Sequence, residues 1–384
     1  MKKLISAILI SALTITTFTT AFAADSTKQN VQNAKKIIWE HAGDLEPQEG
    51  ASKNIGTAGI LSGKAGDYIV VGGGANFPGD PAAVGGAKKL YPDVYVLKEV
   101  DGGLKLVEHT TLDHEIGYGS SITTDDGLYY VGGSSDQEMA DDIYLFTTSK
   151  SGKLSTKKIG ELPFTLSDGI AVEKDKKIYV GLGKQDGKAS NKFYEFNIAT
   201  GETKELAPMP GAETRTQAVA QILNGKLYVF SGGDAIAYTD GYSYDFKNDT
   251  WTQAADVAIG NEKISLLGAN SVKLNDNEML VIGGFNKQVY DNAVKNLNSL
   301  KDEELAEFKA SYFGADPDEF EWNKKVLIYN AKNDSWKSIG EIPFQAPCGE
   351  GLILSKERIY SVNGEVKPGI RTNRMYSGTI SSKN

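Results

Sequence analysis

Cysteine and histidine are scarce in this chain of 384 residues, which has one cysteine, Cys348, and three histidines, His41, His109 and His114. A single thiol cannot form an intramolecular disulfide, and it cannot build a cysteine-rich metal site. The histidines are too widely spaced to indicate a zinc cluster. We therefore expect a fold stabilised by a packed core, with Cys348 as a small buried residue, and a site without a metal ion.

The chain also lacks an excess of positive charge, since 50 acidic residues outnumber 41 lysines and arginines and the net charge is −9. Such a charge repels nucleic acid and anionic membranes, so we expect neither as a partner. No long apolar run follows residue 23, and no membrane span is predicted. Residues 1–23 combine Lys2 and Lys3, an apolar stretch and a small residue at Ala21 and Ala23, as in a secretory signal peptide cleaved after about Ala23. We expect a periplasmic or secreted protein in which residues 24–384 form one domain.

Glycine recurs at a regular interval along the chain. Six times an apolar run ends in a glycine-rich step, and the last glycines of successive steps are 60, 50, 50, 51 and 80 residues apart. The six steps are 68–73, 128–133, 178–183, 227–233, 279–284 and 359–364. A strand that ends in such glycines enters a turn that needs positive φ or close backbone approach. A repeat of about 50 residues is typical of kelch units with four strands each, so the sequence predicts an all-β, six-bladed kelch-type β-propeller.

A displaced copy of the repeat predicts how the ring closes. The segment 336–342 ends the fifth unit, and a similar segment, 39–45, precedes the first unit. The last unit begins near Cys348 and has room for only three strands before Asn384. We expect the N-terminal segment to supply the missing outer strand, which would close the ring and leave only short sheet edges.

One segment of the fifth unit departs from the strand pattern. Here Val294, Leu297, Leu305 and Phe308 recur at helical spacing among lysines and glutamates. We predict a helical insertion in blade five at about residues 291–323. It is either a lid over a site or an amphipathic flap that only packs against the blade.

The candidate site is expected at the mouth of the central channel. In a four-stranded antiparallel blade, the loop after the second strand and the link to the next blade emerge on the same face, and the long loops 74–90 and 285–322 fall there. No Ser-His-Asp set is recognisable, and the residues at hand are carboxylates and arginines. An arginine and a carboxyl group suit the binding of a sugar carboxylate and proton transfer at an anomeric oxygen. The alternative is a non-catalytic propeller that binds a sugar or a protein.

The strongest candidate pair is Glu365 and Arg371, within the run Asn-Gly-Glu-Val-Lys-Pro-Gly-Ile-Arg-Thr at 363–372. The Pro-Gly step predicts a turn that folds Arg371 back toward Glu365. This run resembles the Asn-Gly-Glu-x-Lys-Pro-Gly-x-Arg-Thr motif of the N-acetylneuraminate epimerases, the kelch-type sialic acid mutarotases. The segments 85–89, 215–218 and 320–323 are similar to the same family. Because the motif lies mid-chain in the best-known members and near the C-terminus here, the chain resembles a cyclically permuted branch.

The resemblance implies a reaction and the roles of two residues. It implies that α and β anomers of N-acetylneuraminic acid interconvert through the open-chain form, without a cofactor. Glu365 would transfer protons at the anomeric centre, and Arg371 would hold the sugar carboxylate. The small sugar acid is the expected partner, and the protein is expected to be a monomer or a homodimer. Two departures from the family bear on which sugar is bound: Ile116 stands where the family has an arginine, and the loop 74–90 is short. A mutarotase for another acidic sugar is therefore the alternative within this class.

Four further residues are weaker candidates for contacts to a substrate: Arg215, Asn76, Glu115 and Glu350. Arg215 is either a second anion contact or a structural arginine of the repeat. Asn76 either contacts a sugar hydroxyl or caps a turn. Glu115 and Glu350 are expected to point toward the channel, where each is either a second proton-transfer group or a solvated carboxylate.

Overall fold

The computed structural model of the protein describes residues 36–101, 103–135, 139–212 and 214–381. The predicted signal peptide lies outside these ranges. Within them, no helix is both long enough and apolar enough to cross a membrane. The described chain is mostly β-structure and includes two α-helices.

In the described ranges, the longer strands form six antiparallel sheets, which we number in chain order. Sheet 1 comprises Leu61–Ala65, Tyr68–Gly72, Lys89–Val100 and Gly103–Ile116, together with the short strand Ala75–Asn76. Sheet 2 comprises Ser120–Thr124, Gly127–Val131, Asp142–Thr148 and Leu154–Glu161, and sheet 3 comprises Ile170–Lys174, Lys177–Gly181, Phe193–Asn197 and Thr203–Leu206. Sheet 4 comprises Val219–Leu223, Lys226–Phe230, Gly241–Asp245 and Thr250–Ala254, and sheet 5 comprises Asn270–Lys273, Glu278–Ile282, Lys325–Asn330 and Ser335–Glu341. Sheet 6 comprises Gly351–Ser355, Arg358–Val362, Arg374–Ser381 and Lys36–Asp44.

Short strands and two 3₁₀ helices lie in the connections between these longer strands. The short strands are Leu166–Ser167, Lys184–Gln185, Lys188–Ala189, Ala258–Ile259, Glu262–Lys263, Glu365–Lys367 and Ile370–Arg371, and the 3₁₀ helices are Ala82–Val84 and Pro317–Phe320.

The glycine steps follow the second strand of each sheet, as the repeat predicts. In the first step, Gly73 has a φ of 61°, and a Cβ atom there would lie 2.3 Å from the carbonyl oxygen of Ile116. No side chain fits at that distance, so the backbone can turn this tightly only at glycine.

The core lies between neighbouring sheets. In the second strand of sheet 1, Ile69 and Val71 pack toward Tyr360 of sheet 6, whereas Val70 packs toward Tyr130 of sheet 2. This alternation follows from the two-residue period of a strand, and it buries both faces of Tyr68–Gly72. Each of the six hydrophobic clusters is shared by two adjacent sheets, including one shared by sheets 6 and 1.

The N-terminal strand Lys36–Asp44 is the outermost strand of sheet 6. It pairs antiparallel with Arg374–Ser381, from Lys36 opposite Ser381 to Asp44 opposite Arg374. Ile37 is 8% exposed in the cluster shared by sheets 5 and 6, whereas its neighbour Ile38 is 51% exposed. The strand thus contributes one face to the core.

The helical insertion lies between the second and third strands of sheet 5. It consists of helix α1, Lys287–Ser299, and helix α2, Asp302–Gly314. Helix α1 begins before the predicted residue 291 because the Asn286 side chain accepts hydrogen bonds from the backbone N–H groups of Gln288 and Val289, at 2.9 and 3.1 Å.

Six residues form a cyclic set of backbone hydrogen bonds that we call the neck ring. Each of them lies two positions before the first strand of one sheet. Each N–H donates to the carbonyl of the previous member, and the last bond joins the first and final members: Tyr118 to Gly59 (2.7 Å), Asp168 to Tyr118 (2.8 Å), Gln217 to Asp168 (2.8 Å), Gly268 to Gln217 (3.2 Å), Gly349 to Gly268 (2.8 Å) and Gly59 to Gly349 (2.7 Å). All six have φ between 50° and 76°. A channel of about 550 Å³, lined by the first strands of all six sheets, adjoins the ring.

Candidate functional site

The segment 365–371 forms a hairpin that brings Glu365 and Arg371 together. The short strands Glu365–Lys367 and Ile370–Arg371 pair antiparallel, with Glu365 opposite Arg371, and Gly369 in the turn has a φ of 83°. Arg371 Nη1 lies 2.9 Å from Glu365 Oε1, and the Gly369 N–H donates to the same oxygen at 2.7 Å. The pair predicted from the Pro-Gly turn is therefore present as an ion pair.

Both side chains of this pair are largely shielded from water. The Glu365 side chain is 16% exposed and that of Arg371 is 6% exposed. Burial raises the pKa of Glu365, and the positive charge of Arg371, the Gly369 N–H and Lys88 oppose that shift in this order. Arg371 lies over the ring of Phe77, with 4.9 Å between its guanidinium carbon and the ring centroid. Its Nε and Nη1 atoms are buried without a hydrogen-bond partner among the described residues, although Nη1 is close to Glu365. Donors left in this state favour an anionic ligand.

A cavity of about 270 Å³, which we call the mouth cavity, lies between this hairpin and the neck ring. Glu365 lines it, as do the whole neck ring, Phe285 and Tyr290, whereas Arg371 lies behind Glu365 outside this lining. Three members of the ring are glycines, for which positive φ has no steric cost. The other three, Tyr118, Asp168 and Gln217, adopt a conformation that costs a residue with a Cβ atom about 1 kcal/mol or more.

Tyr118 and Gln217 line the mouth cavity and Lys88 lies over the Tyr118 ring, although none of the three was predicted from the sequence as a site residue. The Lys88 Nζ atom lies 4.3 Å from the centroid of the Tyr118 ring. Desolvation of its ammonium group lowers the pKa of Lys88, although the side chain as a whole is exposed. The Gln217 Nε2 atom donates to Asp168 Oδ1 at 3.1 Å. When the six links just before the first strands are aligned, three of them have glycine where the others have Tyr118, Asp168 and Gln217. Side chains at positions where glycine also occurs are the sequence signal that points to Tyr118 and Gln217.

The helical insertion contacts the hairpin directly. Lys367 Nζ donates to the carbonyl oxygens of Phe313 at 3.1 Å and Ala315 at 2.7 Å, at the C-terminal end of α2. A lysine suits this place because the end of a helix carries partial negative charge and unpaired carbonyls. Burial raises the pKa of Tyr312, and the charge of Glu365 acts in the same direction. The insertion therefore lies beside the mouth cavity, next to Glu365.

Glu350 lines the channel and not the mouth cavity, next to the neck-ring residue Gly349. It is 1% exposed, and neither of its carboxyl oxygens has a hydrogen-bond partner among the described residues. Burial raises the pKa of Glu350 to about 8, so it carries a proton at neutral pH. Glu350 thus lies toward the channel, as expected. Because it is buried, it is not the solvated carboxylate considered as the alternative.

Arg215 and Asn76 have structural partners. Arg215 is fully buried and binds both carboxyl oxygens of Asp240, Oδ1 at 2.8 Å and Oδ2 at 2.7 Å. Asn76, 1% exposed, donates to the Gly56 carbonyl at 2.7 Å and accepts from the Tyr91 hydroxyl at 2.8 Å. Neither residue lines the mouth cavity. For both, these contacts favour the structural interpretation over a contact to a substrate.

Glu115 and Ile116 end the last strand of sheet 1. Glu115 is half-buried and lines neither the mouth cavity nor the channel, contrary to its expected direction. Ile116 is 4% exposed in the cluster shared by sheets 1 and 2. The structure thus gives position 116 a core role, and any part of Glu115 in substrate binding stays a prediction. Among the described residues, no three or more His, Cys, Asp or Glu side chains are grouped so that they could hold a metal ion.

Comparison with known proteins identifies relatives of this chain. A model of the N-acetylneuraminate epimerase family matches residues 17–153 and 159–384. The N-acetylneuraminate epimerase of Salmonella typhi is 30% identical over 226 residues, which are 56% of this chain and 56% of that protein. The one from Vibrio cholerae is 27% identical over 226 residues, 55% of this chain and 56% of that protein. The chain thus spans about half the length of the curated relatives it matches. A solved structure described as "Structure of YjhT" is similar with a TM-score of 0.51 and 24% identity, over 58% of this chain and 65% of that one, and this likeness concerns the fold alone.

Proposed function

Because the chain belongs to the N-acetylneuraminate epimerase family, we propose that it is a sialic acid mutarotase, which interconverts the α and β anomers of N-acetylneuraminic acid. The observation that carries this proposal is the shielded Glu365–Arg371 pair, held across a Pro-Gly turn, of which Glu365 lines the mouth cavity. The mouth cavity, at about 270 Å³, is just smaller than the roughly 300–1,000 Å³ usual for small-molecule sites.

We propose that the six sheets are the blades of a closed six-bladed propeller. The cyclic hydrogen bonds of the neck ring, the cluster shared by sheets 6 and 1, and the pairing of Lys36–Asp44 with Arg374–Ser381 support closure. The order of the chain is a cyclic permutation relative to the best-known members. A permutation moves the opening of the ring and leaves the site in place.

Glu365 acts as the proton-transfer group in this proposal. Both of its contacts, to Arg371 and to the Gly369 N–H, fall on Oε1, so Oε2 is the oxygen assigned to proton transfer. A pKa raised by burial brings a carboxyl group closer to neutral pH, where it is a better base than an exposed glutamate. Because sialic acid anomers already exchange in water, an acceleration on the order of 10²–10⁴-fold is sufficient.

Arg371 holds the sugar carboxylate in this proposal: its Nη1 is shared with Glu365, and its Nε has no partner among the described residues. Its fork of N–H groups matches a carboxylate, and the guanidinium carbon lies 4.9 Å from the centroid of the Phe77 ring. Lys88 and Lys184 add positive charge at the mouth, next to Asp168. An anionic sugar is therefore favoured over a neutral one.

The protein is also proposed to be exported, to the periplasm or the cell exterior, on the strength of the signal-like residues 1–23. N-terminal sequencing of the mature chain tests this proposal, and a mature chain that still began at Met1 would contradict it.

Anomer-resolved proton NMR of freshly released N-acetylneuraminic acid tests the proposed activity. With the protein present, the two anomers should reach equilibrium faster than in buffer, and a neutral sugar should show no acceleration. Binding of the sugar without any acceleration would instead identify a non-catalytic propeller. Acceleration only for another acidic sugar would correct the substrate.

A further inference from the structure

The proposed reaction requires two proton movements, and Glu365 accounts for only one of them. When the ring opens, the anomeric hydroxyl loses a proton, the bond from the anomeric carbon to the ring oxygen breaks, and the ring oxygen gains a proton. Glu365 Oε1 is occupied by Arg371 and the Gly369 N–H, so one oxygen remains for proton transfer. The ring oxygen therefore needs a different donor, and the need for this donor rests on the proposed function.

Tyr118 is placed to be that donor. It lines the mouth cavity together with Glu365. Its ring packs against Gly59, where a Cβ atom would lie 2.5 Å from the Tyr118 ring, and its backbone is fixed by two hydrogen bonds of the neck ring. Its φ of 59° is unfavourable for a tyrosine, and unfavourable conformations of this kind occur preferentially at functional sites.

The hydroxyl of Tyr118 interacts with the guanidinium of Arg371. Arginine has no acceptor, so the Tyr118 hydroxyl does not donate to the guanidinium, and its hydrogen points elsewhere. Four charged groups face Tyr118: Arg371 and Glu365 from the hairpin, Asp168 from the next link, and Lys88 above the ring.

We propose that Tyr118 is a second catalytic residue, the acid that protonates the ring oxygen of the sugar as the ring opens. Glu365 takes the anomeric hydroxyl proton, the carbonyl forms as the carbon–oxygen bond breaks, and the ring oxygen takes the proton of Tyr118. On reclosure at the other face, the new hydroxyl returns its proton to Tyr118 and Glu365 returns its proton to the carbonyl oxygen. Both residues end in their starting states, and no other reactant is consumed.

The electrostatics of the mouth fit this role. Burial raises the pKa of Tyr118 to about 12, so the hydroxyl keeps its proton at neutral pH, while Arg371 acts in the opposite direction. In the open-chain stage Glu365 carries a proton and no longer opposes the phenolate, which Arg371 stabilises against the charge of Asp168.

Tyr118→Phe removes only the hydroxyl and is the first test. We expect kcat for anomer exchange to fall on the order of 10²–10⁴-fold, the usual contribution of a positioned acid, with a much smaller change in KM. Tyr129→Phe is the matched control, because this tyrosine of sheet 2 donates to Asp126 at 3.3 Å and lies outside both cavities. Unchanged kcat in Tyr118→Phe, with Glu365→Gln inactive, would overturn the proposal and leave the proposed function standing. No acceleration by the unaltered protein would overturn the proposed function itself.

Replacement of Tyr118 by 3,5-difluorotyrosine decides the case even if Tyr118→Phe folds poorly. Fluorination lowers the phenol pKa and changes the shape of the side chain little. If Tyr118 must carry its proton, the alkaline limb of the pH–rate profile should move to lower pH in the fluorinated protein. A purely structural tyrosine would leave that limb in place, and this outcome would also overturn the proposal.

Discussion

Replacing Glu350 by glutamine should remove a pH dependence of stability that this buried residue creates. The pKa of Glu350 is raised from 4.5 to about 8, so the folded state holds a proton that the unfolded chain has released. A group of this kind costs nothing below pH 4.5 and destabilises the fold progressively as pH rises toward 8. At about 1.36 kcal/mol per unit of pKa, the cost is about 1 kcal/mol at pH 5 and about 4 kcal/mol at pH 8.

Glutamine keeps the shape of Glu350 but has no proton to lose. The free energy of unfolding of Glu350→Gln, relative to the unaltered protein, should therefore rise by about 3 kcal/mol between pH 5 and pH 8. Urea unfolding at pH 5, 6.5 and 8 measures this difference, and Glu307→Gln, at an exposed position on α2, serves as the control. A constant difference between the two proteins across this range would refute the reasoning, because it would mean that Glu350 has found a partner or water in the channel.

Two further predictions concern the outer strand of sheet 6 and the insertion. Ile37→Ala should cost about 2–5 kcal/mol in urea unfolding, whereas Ile38→Ala on the exposed face should change stability by about 0.5 kcal/mol or less; equal effects would contradict the described pairing of the N-terminal strand. Lys367→Ala removes two hydrogen bonds to the end of α2, so hydrogen exchange in α2 should become faster and KM should rise; unchanged exchange and unchanged KM would mean that the insertion does not depend on this contact.

The strands could be predicted from the sequence because glycine marks each repeat. Gly73 sits in a turn that excludes any Cβ atom, so its place in the repeat reflects a steric requirement that can be read without a structure. The hydrophobic spacing between residues 294 and 308 likewise predicted the helices. The hydrophobic spacing did not reveal the start of α1. That helix begins at a polar cap, the Asn286 side chain, and a polar cap adds nothing to a hydrophobic pattern.

The site could be predicted only in part. Glu365 and Arg371 are close in sequence and joined by a Pro-Gly turn, so a local rule brings them together. Arg215 was a candidate because the sequence does not reveal that Asp240, 25 residues away, occupies its guanidinium. Tyr118 and Lys88 meet only through the packing of separate loops, and no local pattern encodes that contact.

In the proposed mechanism, anomer exchange depends on a proton that Glu365 transfers. Glu365→Gln keeps the shape of the side chain and an oxygen for the Gly369 N–H, but the amide cannot take a proton. Anomer-resolved proton NMR of N-acetylneuraminic acid should then show exchange at the rate in buffer alone, while titration shows that the sugar still binds. If Glu365→Gln equilibrates the anomers as fast as the unaltered protein, Glu365 is not the proton-transfer group and the proposed mechanism is contradicted.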